Sequence, residues 1–401
     1  MNRIGSAVFT TCLFILASAS ALFHEQHVVN AAQQAVTDRP EQVEPFQRRP
    51  TNVKRDLLYV AVPGRRQYLQ YGGIGVLVYD VGRHFQFVKR IATWDTPAAQ
   101  EPQSIHGIAA SPVTGLLYVS TNFELAAIDL KTDKMVWEQT YDGDCCDRVA
   151  VSPDGKLLYV PAVEGANWYV ADAVTGKRIK KLDTKDTVNN PHNTVFSLDG
   201  SRVFLSGPTV GIADTKTNTV VETITFGNSV RPFTINGRGS LVFANVNQLL
   251  GFEVADVASG KVIHRVEVNG YGWSKERTTE HNCPTHGIAL SPDEKELWLG
   301  DVANGFVHVF DATVMPPKQI KSIRTRSNPS WITFGIDGKF VYPSSGDVID
   351  AETKQVVGGL RDEIGRQVES EKLLEVLFVD GKPIRAVDQI GVGMVRGSAT
   401  N

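Results

Sequence analysis

The 401-residue chain has a net charge of −3 and 21% charged residues with no long basic run, so it lacks the electrostatic footprint of a nucleic-acid binder. Hydrophobic residues make up 42%, and 35 Gly with 19 Pro describe a globular chain rich in turns, which excludes a disordered tail or a collagen-like fibre. The length would hold two or three average domains or one large closed architecture, and composition does not choose between them.

The first segment reads as an address. Arg3 supplies a short positive start, Ala7 to Ala19 an apolar run, and Ala19-Ser20-Ala21 a small-residue cleavage site. The run is shorter than the ~20 residues a bilayer span needs, and Cys12 has no lipobox around it. Residues 1–21 are therefore expected to be a signal peptide, with a mature chain that is periplasmic or secreted and has no membrane span. Residues 22–55, rich in Gln, Pro, Val and Glu and without periodicity, read as a flexible arm.

From residue 56 the chain repeats itself with a period of about 40 residues, the signature of stacked supersecondary units. An apolar strand and turn recur as His106-Gly-Ile-Ala-Ala-Ser-Pro, Asp147-Arg-Val-Ala-Val-Ser-Pro-Asp-Gly, His192-Asn-Thr-Val-Phe-Ser-Leu-Asp-Gly, Arg231-Pro-Phe-Thr-Ile-Asn-Gly, His286-Gly-Ile-Ala-Leu-Ser-Pro-Asp and Ser330-Trp-Ile-Thr-Phe-Gly-Ile-Asp-Gly. A second apolar strand follows each turn, as in Leu157-Leu-Tyr-Val-Pro, and Asp-Gly is the usual hairpin signal between them. A third strand carries an Asp and a Thr/Gly/Lys turn, as in Val170-Ala-Asp-Ala-Val-Thr-Gly-Lys, and a fourth alternates Lys with Val or Ile. Four such strands make one propeller blade.

The segment from Leu57 to Thr93 starts at the second strand and lacks its inner one. The C-terminal run Leu373-Leu-Glu-Val-Leu-Phe-Val-Asp-Gly-Lys is expected to supply it, closing the ring without an open edge. The fold expected is an all-β, seven-bladed propeller of four-stranded antiparallel blades over 56–390, followed by a tail at 391–401; an open stack or a six- or eight-bladed ring is the alternative.

This repeat resembles that of the YVTN β-propeller proteins, exported bacterial seven-bladed propellers with structural kinship to amine-dehydrogenase heavy chains and haem d1 propellers. More narrowly, Cys145-Cys146-Asp147-Arg148, Val230-Arg231-Pro232-Phe233-Thr234, Leu249-Leu250-Gly251-Phe252-Glu253 and Cys283-Pro284-Thr285-His286-Gly287 resemble a subgroup of these bacterial members. That resemblance implies a fold and no settled activity. No haem-attachment motif or Asp-box repeat is present, so neither cofactor nor reaction transfers from the better-known relatives, and function has to be argued from the site.

Aligned on their turns, the units share a position five residues upstream, at the mouth of the central channel. His106, Asp147, His192, Arg231, His286 and Ser330 occupy it, and all are polar. Three imidazoles converging from different blades suit a divalent metal, Zn, Cu, Mn or Fe, with Asp147 as base and Arg231 as anion clamp. A metal-free polar ligand pocket, or His residues that merely cap their strands, are the other readings of the same ring. The interval from Arg231 to His286 is the longest, and its insertion from Gly270 to Cys283 is placed to fold over the mouth as a lid. Its Trp273 could stack on a substrate, and Glu280 and His281 could move protons. Loops expected on the same face bring Arg148, Glu164, Trp168, Asn247 and Asp301 as substrate-binding candidates, and the Pro63-Gly-Arg-Arg-Gln-Tyr loop adds two cations.

Cys145, Cys146 and Cys283 all sit beside ring positions. A disulfide from Cys283 to Cys145 or Cys146, thiolate ligation beside His286, a vicinal Cys145–Cys146 bond, and a free buried thiol are the readings left open. Two functions stay in play. One is a metal-dependent lyase or hydrolase acting on a polar, anionic or sugar-like small molecule. The other is a monomeric, non-catalytic binding or scaffold propeller for a periplasmic protein or electron-transfer component. A serine elbow, phosphate loop, dinucleotide fingerprint and zinc-protease helix are all missing.

Overall fold

The computed structural model describes residues 53–94, 102–142, 145–163, 165–184, 188, 190–274 and 282–387, which form seven antiparallel sheets arranged as the blades of one propeller. The expected signal peptide and most of the expected arm, like the tail, lie outside the described residues. No helix among the described residues is long and apolar enough to cross a membrane.

Blade 1 takes residues 54–91; blades 2 to 7 follow at 107–139, 150–183, 194–224, 230–267, 285–324 and 332–359. The inner strands are apolar because a neighbouring blade covers each face: every residue of Gly107–Ser111 and Thr285–Leu290 is buried. The outermost strands alternate instead, as Lys261–Glu267 does between exposed and half-buried positions. The turns follow side-chain chemistry. Between third and fourth strands, Asp129, Asp172, Asp214 and Asp350 each accept the backbone N–H of the Thr three residues on, at 2.7–2.8 Å.

Closure follows the expected route. Leu373–Val379 lies antiparallel to Lys54–Val62, with Leu57 opposite Val376, and becomes the inner strand of blade 1. A further strand, Lys382–Ala386, pairs with its other edge and makes this sheet five-stranded. Because every inner strand runs the same way, their starts gather at one end of the channel and their Ser-Pro and Asp-Gly turns at the other. The turn end holds an apolar cavity of about 410 Å³ walled by Pro112, Val113, Pro153, Leu198, Pro292 and Ile384. The other end is polar.

Candidate functional site

The starts of the inner strands wall a cavity of about 720 Å³. His106, Asp147 and His192 stand just ahead of their strands, and each donates its backbone N–H to a second-strand carbonyl, of Ser120, Pro161 and Ser206, at 2.8–2.9 Å. Arg231 and His286 lie within Val230–Ile235 and Thr285–Leu290. The Gly after two of the His residues has a steric cause. A Cβ on Gly107 would lie 2.8 Å from the Val149 backbone nitrogen, and one on Gly287, at φ +135°, 2.8 Å from Trp331 Cα. The next blade's inner strand can approach only because these side chains are absent.

Arg148 is the hub of the floor. It is 7% exposed, and its Nη1 donates to Asp147 Oδ1 at 2.8 Å and its Nη2 to Glu371 Oε2 at 3.1 Å. The guanidinium carbon lies 4.7 Å from the centre of a Trp331 ring, and the Nε–H is buried without a partner among the described residues. Lys372 Nζ donates to the same Glu371 oxygen at 2.7 Å and lies 5.4 Å from a Trp331 ring centre. Arg231 Nε donates to Asn247 Oδ1 at 2.9 Å, and among the described residues no carboxylate pairs with this guanidinium. Among the described residues the floor therefore sets three cations, Arg148, Arg231 and Lys372, against two carboxylates, Asp147 and Glu371.

These neighbours set the protonation states. Burial works to raise the Asp147 carboxyl, but Arg148 and then His106, whose Nδ1 is 3.6 Å away, outweigh it and hold it below the usual range. Burial likewise opposes ionisation of Glu371, and Lys372 with Arg148 overcomes it by a wide margin. Lys372 is brought down to about 8 by burial first and by Arg148 second, against the pull of Glu371. Burial, followed by the charge of Arg148, takes His192 well below its ordinary value, so this ring is neutral at pH 7. Its Nδ1 donates to Asn193 Oδ1, and His286 Nδ1 donates to the Ser330 carbonyl at 2.9 Å. A neutral ring tied in this way carries its lone pair on Nε2.

The three imidazoles do not meet at one point. His192 and His286 stand edge to face with ring centres 5.6 Å apart, while His106 turns to Asp147. Among the described residues no group of three or more His, Cys, Asp or Glu is arranged to hold a metal ion. Ser330 is a strand cap: its amide donates to Ser344 Oγ at 2.7 Å and its carbonyl holds His286.

The loop candidates divide. Arg148 reaches the floor, and Asn247 touches it by holding Arg231. Arg65 and Arg66 of the first-blade loop line the cavity, with Arg65 paired to Glu369. Trp168, expected at the mouth, is instead fully buried in the core between blades, its Nε1 donating to Thr194 Oγ1 at 2.9 Å. Asp301 is also corrected: it is fully buried within blade 6, accepting from His308 Nε2 at 3.1 Å and Asn304 Nδ2 at 2.7 Å. Trp273 is not among the cavity walls, and its neighbour Tyr271 packs on Phe306 and His308 of blade 6. Glu164, Glu280 and His281 lie outside the described residues.

Cys145 and Cys146 lie together, buried, ahead of the inner strand of blade 3. Among the described residues Cys283 makes no disulfide, so of the readings left open it is the free buried thiol that describes it. Its thiol is buried in blade 6, two intervening blades away, and donates to the Thr285 carbonyl at 2.8 Å; burial pushes it up to about 12.

Glu371 and Lys372 are wall residues that the repeat pattern does not disclose. Counting back from the Asp380-Gly381 turn as in the other units lands on Leu373, and the wall residue is its neighbour. The charged pair directly ahead of the closing strand was the available signal. Compared with known proteins, the chain matches no family model and no curated protein.

Proposed function

We propose that this protein captures an anionic organic small molecule at the mouth of its channel, with the anion held by Arg231 in the field of Arg148. The observation that carries this reading is the surplus cation of the floor: among the described residues no carboxylate pairs with Arg231, while Arg148 and Lys372 take up Asp147 and Glu371. The leader-like residues 1–21 and the resemblance to YVTN propellers support a role outside the cytoplasm. The test is a thermal-shift panel that pairs each anion with a neutral isostere, acetate with acetamide and lactate with lactamide. Stabilisation by the anions alone supports the reading, and equal response to both members of each pair refutes it.

A metal-dependent hydrolase or lyase is the second reading. Its support is that His192 and His286 both have Nδ1 tied to oxygen acceptors, the arrangement that orients metal-binding imidazoles. Against it, Arg148 and Arg231 lie close enough to press His192 toward its neutral form, and the same field repels a cation. Elemental analysis of untagged protein decides: this reading requires about one equivalent of Zn, Cu, Mn or Fe, lost in a His192→Ala/His286→Ala variant.

A further inference from the structure

The floor of the cavity brings a lysine amine and an anion clamp to one indole. Lys372 Nζ and the Arg148 guanidinium both lie over Trp331, at 5.4 and 4.7 Å from ring centres, and both donate to Glu371 Oε2. Two cations on one carboxylate oxygen make the second proton on that oxygen dispensable. When the ammonium gives up a proton, Arg148 still satisfies Glu371 at 3.1 Å, so no buried carboxylate is orphaned. Lys372 is one of the cavity-lining residues although its side chain is only 3% exposed, which keeps bulk water from the amine.

We propose that Lys372 is a nucleophile that condenses with the carbonyl of a 2-oxo acid whose carboxylate rests on Arg231. This rests on the anion-capture reading and names its ligand class. The bond formed is Nζ–C; the carbonyl oxygen leaves as water with two of the three ammonium protons, and the product is a protonated imine. Ammonium and ketone enter, iminium and one water leave, and no oxidant or reductant is consumed. The amine is ready for this step, since burial and Arg148 bring it to about 8. At neutral pH it then has roughly a hundredfold more free base than a surface lysine.

The experiment treats the full chain with pyruvate, 2-oxobutyrate or phenylpyruvate and sodium cyanoborohydride, with peptide mapping of the reduced adduct. One adduct per chain is expected, at Lys372, forming about tenfold faster than on any surface lysine and absent from Lys372→Arg. A parallel calorimetric titration with the same acids, without reductant, reads binding alone. Binding that Arg231→Gln abolishes, with no adduct at Lys372, overturns the imine and leaves anion capture standing. Adducts spread evenly over surface lysines overturn the imine as well. No binding of any acid and no adduct at Lys372 overturns both.

Discussion

Two glutamates four residues apart at the closing strand meet opposite fates. Glu371, at the mouth, is half-buried between Arg148 and Lys372, which keep it ionised far below the usual carboxylate range. Glu375, at 1% exposure in the seam between blades 7 and 1, accepts from Tyr342 Oη and from the Ile336 N–H at 2.8 Å. Burial, and next the charge of Asp56, raises it to about 8. Asp56 is itself raised to about 6, by burial first and then by Asp337 and Asp80. One strand thus carries a committed anion at the working end and a protonated acid in the seam. Burial is common to both, so the partner decides the charge.

The largest effect is expected at the hub. Arg148→Ala leaves buried Asp147 and half-buried Glu371 with less compensation, and denaturant unfolding at pH 7 should show a loss of about 3–5 kcal/mol. A loss under 1 kcal/mol would mean that the mouth is far wetter than this geometry implies.

The seam predicts a slope in pH. Unfolded Glu375 ionises near its ordinary value of 4.5 and folded Glu375 near 8, so between these the unfolded chain binds fewer protons. Its contribution to stability is whole below 4.5, falls as pH rises to 8, and is flat above. Glu371 has the opposite sign: its contribution is whole above 4.5 and is lost as pH falls below it. Urea midpoints measured from pH 4 to 9 should show the alkaline decline in wild type, on the order of a few kcal/mol, and a weaker decline in Glu375→Gln. An unchanged slope in the variant would place the titrating group elsewhere.

How much of this was legible in the sequence depends on the kind of regularity each residue obeys. The blades repeat, so the count, the turns and the ring of His106, Asp147, His192, Arg231 and His286 follow from alignment, and the missing inner strand at Leu57 demanded Leu373–Val379. Lys382–Ala386 was hidden because it is short and contains Pro383, which an edge strand tolerates. Trp168 and Asp301 belong to the strands that flank the expected loops, near the start of the third strand of blade 3 and at the end of the second strand of blade 6, and both side chains are fully buried. Lys372 stands one step off the repeat. The anion clamp is a product of pairing, and pairing across blades has no trace in local order: the partner of Arg148 is Glu371, at the far end of the chain.

The most direct test of the mouth as an anion site is calorimetric titration of the best carboxylate from the isostere panel into wild type and Arg231→Gln. The account predicts saturable one-site binding in wild type, weakened about tenfold to a hundredfold in the variant, with the unfolding midpoint unchanged. Equal affinity in the two proteins would contradict it.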